Sequence, residues 1–145
     1  TWMPTLDPKT DDPPCLQRVG CRLAEAADGR LCLNMNTHWR SRDAYKAAFM
    51  NIYALTDLQR ILAGRIAERM GRPVQVGRYV DITDSYHIYG SYLEEVEARF
   101  LRSIRDRSFD QRTWRSDNAI IRDGIQRGRD QIEAERKSEK PRWRE

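Results

Sequence analysis

Apolar and polar positions change period several times along this chain, and each change predicts an element. Residues 16–23 form a short run of strand character. Leu31, Leu33 and Met35 then alternate with Cys32, Asn34 and Asn36, a period of two that gives a strand one apolar face. Between the two runs lies Ala27-Asp28-Gly29-Arg30, whose Asp-Gly step signals a hairpin because it accepts the positive φ of tight turns. From Asp43 to about Met70 the period lengthens. Ile52, Leu55, Leu58, Leu62 and Ile66 recur every three or four residues, which predicts a long helix with Asp43 as its N-cap. Gly71-Arg72-Pro73 stops it. Residues 73–82, carrying Val74, Val76, Val80 and Ile82, are a further strand candidate, and residues 84–89 lie just past its end. Residues 93–104 read as a helix with Leu93, Val96, Phe100 and Ile104 on one face, and residues 117–137 as a mostly polar helix weakened by Gly124 and Gly128. Residues 1–14, rich in Pro, Asp and Thr, read as an extended entry with turns, and residues 140–145 as a fraying end. No internal repeat is visible. The order strand, strand, long helix, strand, helix, helix predicts an α+β fold, a mixed or antiparallel sheet with the long helix packed on one face.

Composition narrows this picture. The chain has 145 residues, 39% hydrophobic and 33% charged. That suits one domain, provided the apolar residues are concentrated, as they are between about Cys15 and Ile104. No stretch approaches the roughly 18 apolar residues of a membrane span. No secretory signal precedes the first strand-like run. A soluble, cytoplasmic protein without a membrane partner is therefore expected. Cys15, Cys21 and Cys32 show no CxxC spacing, so neither a disulfide framework nor a zinc site is indicated, and one reactive thiol is permitted. The net charge of +4 falls entirely within residues 101–145, which leaves residues 1–100 neutral. A basic tail can hold a polyanion, with Trp114 or Trp143 stacking on bases. Its signs are so interspersed, however, that a solvated, salt-bridged helix is the simpler reading, and nucleic acid is not the expected partner.

Four features could carry chemistry, and each has a plain structural alternative. Cys15 follows Pro13-Pro14, which fixes the backbone before it. A free thiol ionises near about pH 8.5, so a nucleophile there needs a cation nearby; otherwise Cys15 is a small buried hydrophobe. Arg40-Ser41-Arg42-Asp43 lies between a strand and a helix start, where N–H groups and a guanidinium suit a phosphate. Asn51, inside the long helix, offers a donor and an acceptor that can read the edge of a base, or it simply faces solvent. His87 and Tyr89 are two apart in an extended segment, so they face the same way. They could grip one sugar hydroxyl together, or form a satisfied pair at a strand end.

The order and spacing of these features resemble the thymidylate synthase and pyrimidine nucleotide hydroxymethylase family. That family runs Pro-Cys, Arg-Ser-x-Asp, Asn, then Asp-x-His-x-Tyr. Here Pro14-Cys15, Arg40-Ser41-x-Asp43, Asn51 and Asp84-x-x-His87-x-Tyr89 follow in that order. The step from Arg40 to Asn51 matches without a gap, and Asn51-Ile52 opens the long helix. Asp28-Gly29-Arg30-Leu31 is similar to the family's hairpin before the arginine, and Trp2 falls where that family has a tryptophan. The likeness fades after about Phe100. It implies a division into residues 1–100, the C-terminal catalytic part of a thymidylate-synthase-like domain, and residues 101–145, a basic, mostly helical tail.

By this resemblance the chain is an enzyme, a methyltransferase or hydroxymethyltransferase of nucleotide biosynthesis. It would transfer a one-carbon unit from 5,10-methylenetetrahydrofolate to C5 of a pyrimidine nucleoside 5′-monophosphate. Cys15 would be the nucleophile at C6. Arg40 would bind the phosphate and favour the thiolate, and Ser41 would also bind the phosphate. Asp43 would hold the pterin of the folate cofactor, Asn51 would read the N3/O4 edge, and His87 and Tyr89 would bind the ribose hydroxyl. No metal is implied. A homodimer is implied, and so is a companion segment corresponding to the family's first half, which carries a glutamate that manages protons. The chain departs from the pattern at Leu16, where the family has histidine, at Trp39, where it has glutamine, and across residues 44–50, which lack its Gly and Pro. The alternatives are a CMP or dCMP hydroxymethylase that ends with water instead of hydride, a basic nucleic-acid-binding module, and a structural partner protein docking through residues 93–104.

Overall fold

The computed structural model describes residue 11 and residues 13–138. The expectations for most of residues 1–14, for Trp2, and for residues 140–145 with Trp143 fall outside the described residues. The chain divides into two compact units, with the boundary between Glu94 and Glu95.

The first unit is built on β1 (Leu16–Glu25) and β2 (Leu31–Trp39), an antiparallel hairpin. Gly29 takes φ 79° at its tip, the conformation the Asp-Gly step predicts. The Asp28 carboxylate accepts from the Arg30 N–H at 3.1 Å and stiffens the turn. The strand β4 (Gln75–Thr83) lies parallel to β2 on its other side, giving the mixed order β1-β2-β4. A parallel neighbour needs a crossover, and α1 (Ala48–Met70) supplies it, packing on β2 and β4. Gly71, at φ 63°, ends the helix as an αL cap. A two-residue strand, β3 (Arg42–Asp43), pairs in parallel with β5 (Tyr86–His87). The architecture is α+β, with a mixed three-stranded sheet.

The core lies between α1 and the face of β2 that carries Leu33, Met35, Thr37 and Trp39, all buried. Two expectations about it change. Helix α1 begins at Ala48, not just after Asp43. Its most buried positions are Ala48, Gln59 and Ala63, whereas Ile52 and Leu58 remain 38% and 39% exposed. Small residues let the helix sit close to the sheet. Buried Gln59 donates from Nε2 to the Leu33 carbonyl at 2.7 Å and to the Gly77 and Arg78 carbonyls at 3.4 and 3.3 Å. Those carbonyls are exposed by a register shift between β2 and β4, after Leu33, so the amide caps an irregular stretch of sheet. In β4 the apolar side chains of the expected strand do not make the face towards α1. Tyr79, Asp81 and Thr83 pair with Met35, Thr37 and Trp39 on the α1 side, and Val76 and Ile82 are about half exposed.

The second unit continues from α2 (Leu93–Glu95) through a π-helical turn (Val96–Leu101) into α3 (Arg102–Asp106). Then follow α4 (Phe109–Arg112), closed by a Ser108–Gln111 capping box, and α5 (Ala119–Ser138). Phe100 and Ile104 of the expected apolar face are 49% and 42% exposed. Helix α5 carries Arg127–Asp123 and Lys137–Glu133 pairs one turn apart, the pattern of a solvated, salt-bridged helix. Among the described residues no helix is long and apolar enough to cross a membrane.

Gly77 sits in the register shift. A Cβ there would run into the Asn34 side-chain oxygen and come within 2.9 Å of the Leu33 carbonyl. Asn34 is held in place by the Arg78 N–H at 2.8 Å. Gly77→Ala should therefore destabilise the fold by about 1–3 kcal/mol. Thermal unfolding against a Gly64→Ala control, at a helical glycine with open space around it, checks this.

Candidate functional site

The site grows from the open end of the hairpin. Along most of β1 and β2 the partners keep one register, from Glu25↔Leu31 to Arg18↔His38. Between Arg18 and Leu16 it shifts, so that Leu16 faces Trp39. Gln17 is the extra residue. Its amide turns back to donate to the Pro14 carbonyl at 2.9 Å and the Cys15 carbonyl at 3.5 Å. Continuing the unshifted register would bring Cys15 opposite Ser41; the bulge brings it opposite Arg40. The Arg40 N–H donates to the Cys15 carbonyl at 2.9 Å. The Arg40 guanidinium donates to the Pro13 carbonyl at 2.5 Å and the Pro14 carbonyl at 3.4 Å. Cys15 is a free, half-buried thiol.

Beyond Arg40 the chain makes the β3–β5 bridge. Arg42 N–H donates to the Ser85 carbonyl and Ala44 N–H to the His87 carbonyl, both at 2.8 Å, with Asp43 opposite His87. Asp43 does not cap α1. Its Oδ1 accepts from the Tyr45 and Lys46 N–H groups at 2.8 and 3.1 Å and shapes the turn of residues 44–47 that precedes the helix. Ser41 is half-buried between the two strands. His87 and Tyr89 stand together as the two-residue spacing predicts, rings edge to face at 4.8 Å. Tyr89 in turn meets Tyr92 at 5.8 Å, Tyr92 meets Tyr45 at 6.2 Å, and Lys46 Nζ lies 3.9 Å over the Tyr92 ring. Asn51 is half-buried in the first turn of α1.

Thus the structure joins Cys15 to Arg40 by a backbone hydrogen bond, Asp43 to His87 by register, and His87 to Tyr89 by ring contact. Asn51 stands on a separate element. The sequence reading missed what ties these pieces together. Arg42 is 4% exposed, with its guanidinium 4.5 Å over the Trp39 ring, paired with Asp81, and donating to the Ala48 carbonyl at 3.1 Å. The same Asp81 oxygen accepts from Tyr79 Oη at 2.9 Å, and Tyr79 bonds Thr37 Oγ1 at 3.0 Å. A carboxylate flanked by Val80 and Ile82 in a strand was the available signal, since such a group needs a buried partner. A cavity of about 360 Å³ opens beside the pair, lined by Arg42, Ile52, Asp81, Thr83 and Tyr86.

The backbones of Cys15 and Arg40 thus meet at the bulged end of the hairpin, and Asp43 and His87 pair on the adjoining short strands. The chain is similar to two curated proteins. Over 97 residues the chain is 34% identical to a protein of Methanothermobacter marburgensis and 35% identical to one of Methanothermobacter thermautotrophicus, each described as "Putative thymidylate synthase". The match takes in 67% of this chain and 39% of each relative, so the chain spans about two fifths of the length of the relatives it matches. The chain is a distant relative of these proteins. No family model matches it, and no solved structure matches it.

Burial pushes the Tyr79 phenol above its ordinary range, and the adjacent Asp81 carboxylate adds to this against the opposing bond from Thr37. A phenol harder to ionise when folded contributes stability that is complete below its ordinary pKa of 10.0 and is lost as pH rises above it. Chemical unfolding from pH 8 to 11 should show stability falling above about pH 10, with a shallower fall in Tyr79→Phe.

Proposed function

We propose that this chain carries the catalytic cysteine of a thymidylate-synthase-type enzyme, acting on a pyrimidine nucleoside 5′-monophosphate within a thymidylate-synthase-like fold. The observation that carries the reading is the Cys15–Arg40 pairing at the mouth of the hairpin, followed by Asp43, His87 and Tyr89 on the joined β3 and β5 segments. In this reading Arg40 and Ser41 hold the phosphate, which sets the pyrimidine ring against Cys15. The thiolate adds to C6, and the ring electrons move towards C5 and O4, making C5 nucleophilic. Asn51 faces the N3/O4 edge, and its amide complements uracil. The His87–Tyr89 pair takes the ribose hydroxyl. Once C5 has accepted the one-carbon unit and lost its proton, the thiolate is expelled and C5=C6 is restored.

In this reading the Asp43 carboxylate takes the N–H edge of a pterin, and the cluster of Tyr45, Tyr92 and Tyr89 rings that begins two residues on offers its flat face a surface. 5,10-Methylenetetrahydrofolate, when bound, supplies the one-carbon unit. A homodimer and a companion segment corresponding to the family's first half complete the assembly in this reading. A CMP or dCMP hydroxymethylase shares the C6 adduct and differs in the last step, giving a product heavier by one oxygen.

The test is incubation with 5-fluoro-2′-deoxyuridine 5′-monophosphate and methylenetetrahydrofolate, followed by intact mass and peptide mapping. Fluorine cannot leave C5 as a proton does, so a covalent adduct should accumulate on Cys15 and be absent from Cys15→Ser. An unmodified Cys15 with the uridine, cytidine and both deoxy analogues alike would contradict the reading.

A further inference from the structure

We propose that Arg42, clamped by Asp81, is a positioning residue for the nucleotide site, an inference that rests on the functional reading above. The clamp touches the three segments that carry Arg40, Asn51 and His87. Its guanidinium lies over Trp39, the residue before Arg40. It donates to the carbonyl of Ala48, three residues before Asn51. Its own N–H bonds Ser85, two residues before His87, and the next segment residue, Ala44, bonds His87 itself. Asp81 approaches from β4, the strand that leads into the Tyr86–Tyr89 stretch.

Burial makes this an unlikely way to gain stability alone. The Arg42 side chain is 2% exposed and that of Asp81 15%. Among the described residues, Arg42 Nε and Asp81 Oδ1 are buried with no hydrogen-bond partner. An incompletely satisfied buried ion pair is expensive beside an apolar pair of equal volume. What the arginine supplies that Met or Leu cannot is direction. Its planar fork fixes an angle between Asp81 and the Ala48 carbonyl while its peptide is locked to Ser85. Arg40 and Ser41 stand immediately before this locked peptide and Asp43 immediately after it, so their directions follow from it.

The experiment compares the full chain with Arg42→Met/Asp81→Leu, which removes both charges and preserves volume, and with Arg42→Lys, which keeps the charge but cannot form the fork. Three quantities are read: thermal midpoint, affinity for 2′-deoxyuridine 5′-monophosphate, and hydrogen exchange at the Ala44 amide. The double variant should unfold no earlier than Arg42→Met or Asp81→Leu alone, each measured beside it, because each of these leaves one buried charge unpaired. Its nucleotide Kd should rise by about tenfold or more, and Ala44 should exchange faster while the Arg40 amide stays protected. Arg42→Lys should shift the last two readouts in the same direction, and it decides the matter if the double variant fails to fold. Wild-type affinity together with wild-type Ala44 protection in the folded variants would reduce the pair to core filling and overturn the proposal. If the wild type binds no pyrimidine monophosphate, the functional reading falls, and the Ala44 amide alone still decides whether the clamp holds the segment.

Discussion

A single extra residue at Gln17 decides which residue meets Cys15 across the hairpin. In a two-stranded ribbon every partner is fixed by the turn, and a slip of one position exchanges faces along the whole strand. The bulge confines that slip to the end of the hairpin. Residues 18–25 keep the register that buries Leu33 and Met35, while Cys15 moves from Ser41 to Arg40. Pro13 and Pro14 have no N–H to give the ladder, and their carbonyls are taken up by Arg40 and Gln17 instead. The segment that delivers the cysteine is thus fixed by side chains where backbone pairing has run out.

From that end the chain turns through two short parallel residues that would not persist alone. Buried charge holds them. Arg42 has left water and must meet Asp81, which lies on a strand reached only after the whole of α1. The helix is therefore both the crossover that a parallel neighbour demands and the element whose start is tied back to the site. Gln59 does the same work at the helix middle, where an amide meets carbonyls freed by the Gly77 irregularity. Polar contacts at the start and the middle of α1 leave little freedom in how the helix lies on the sheet, a fixed frame for the segments that lead from it.

Much of this architecture was legible in the residues. Asp28-Gly29 marked the hairpin, the alternation of Leu31, Leu33 and Met35 marked β2, and Gly71 marked the end of α1, because each follows from local conformational preference. His87 and Tyr89 side by side follow from the pleat. What escaped is long-range. The start of α1 moved because Asp43 found the nearer N–H groups of Tyr45 and Lys46. The helix face moved because Gln59, polar by composition, could be satisfied only by carbonyls 26 and 18 positions away. The sequence motifs named Cys15 and Arg40 through resemblance, but a bulge has no sequence signal strong enough to place them opposite each other. Arg42 carries no periodic pattern at all, and its partner is 39 residues distant.

The central claim is that Cys15 and Arg40 share one nucleotide site. It is tested most directly by the alkylation rate of each of Cys15, Cys21 and Cys32, with and without 2′-deoxyuridine 5′-monophosphate, in the wild type and in Arg40→Met. The account predicts that nucleotide slows labelling at Cys15 alone and that the protection disappears in the variant. Labelling of Cys15 at the same rate with and without nucleotide, or protection that survives loss of the guanidinium, would contradict it.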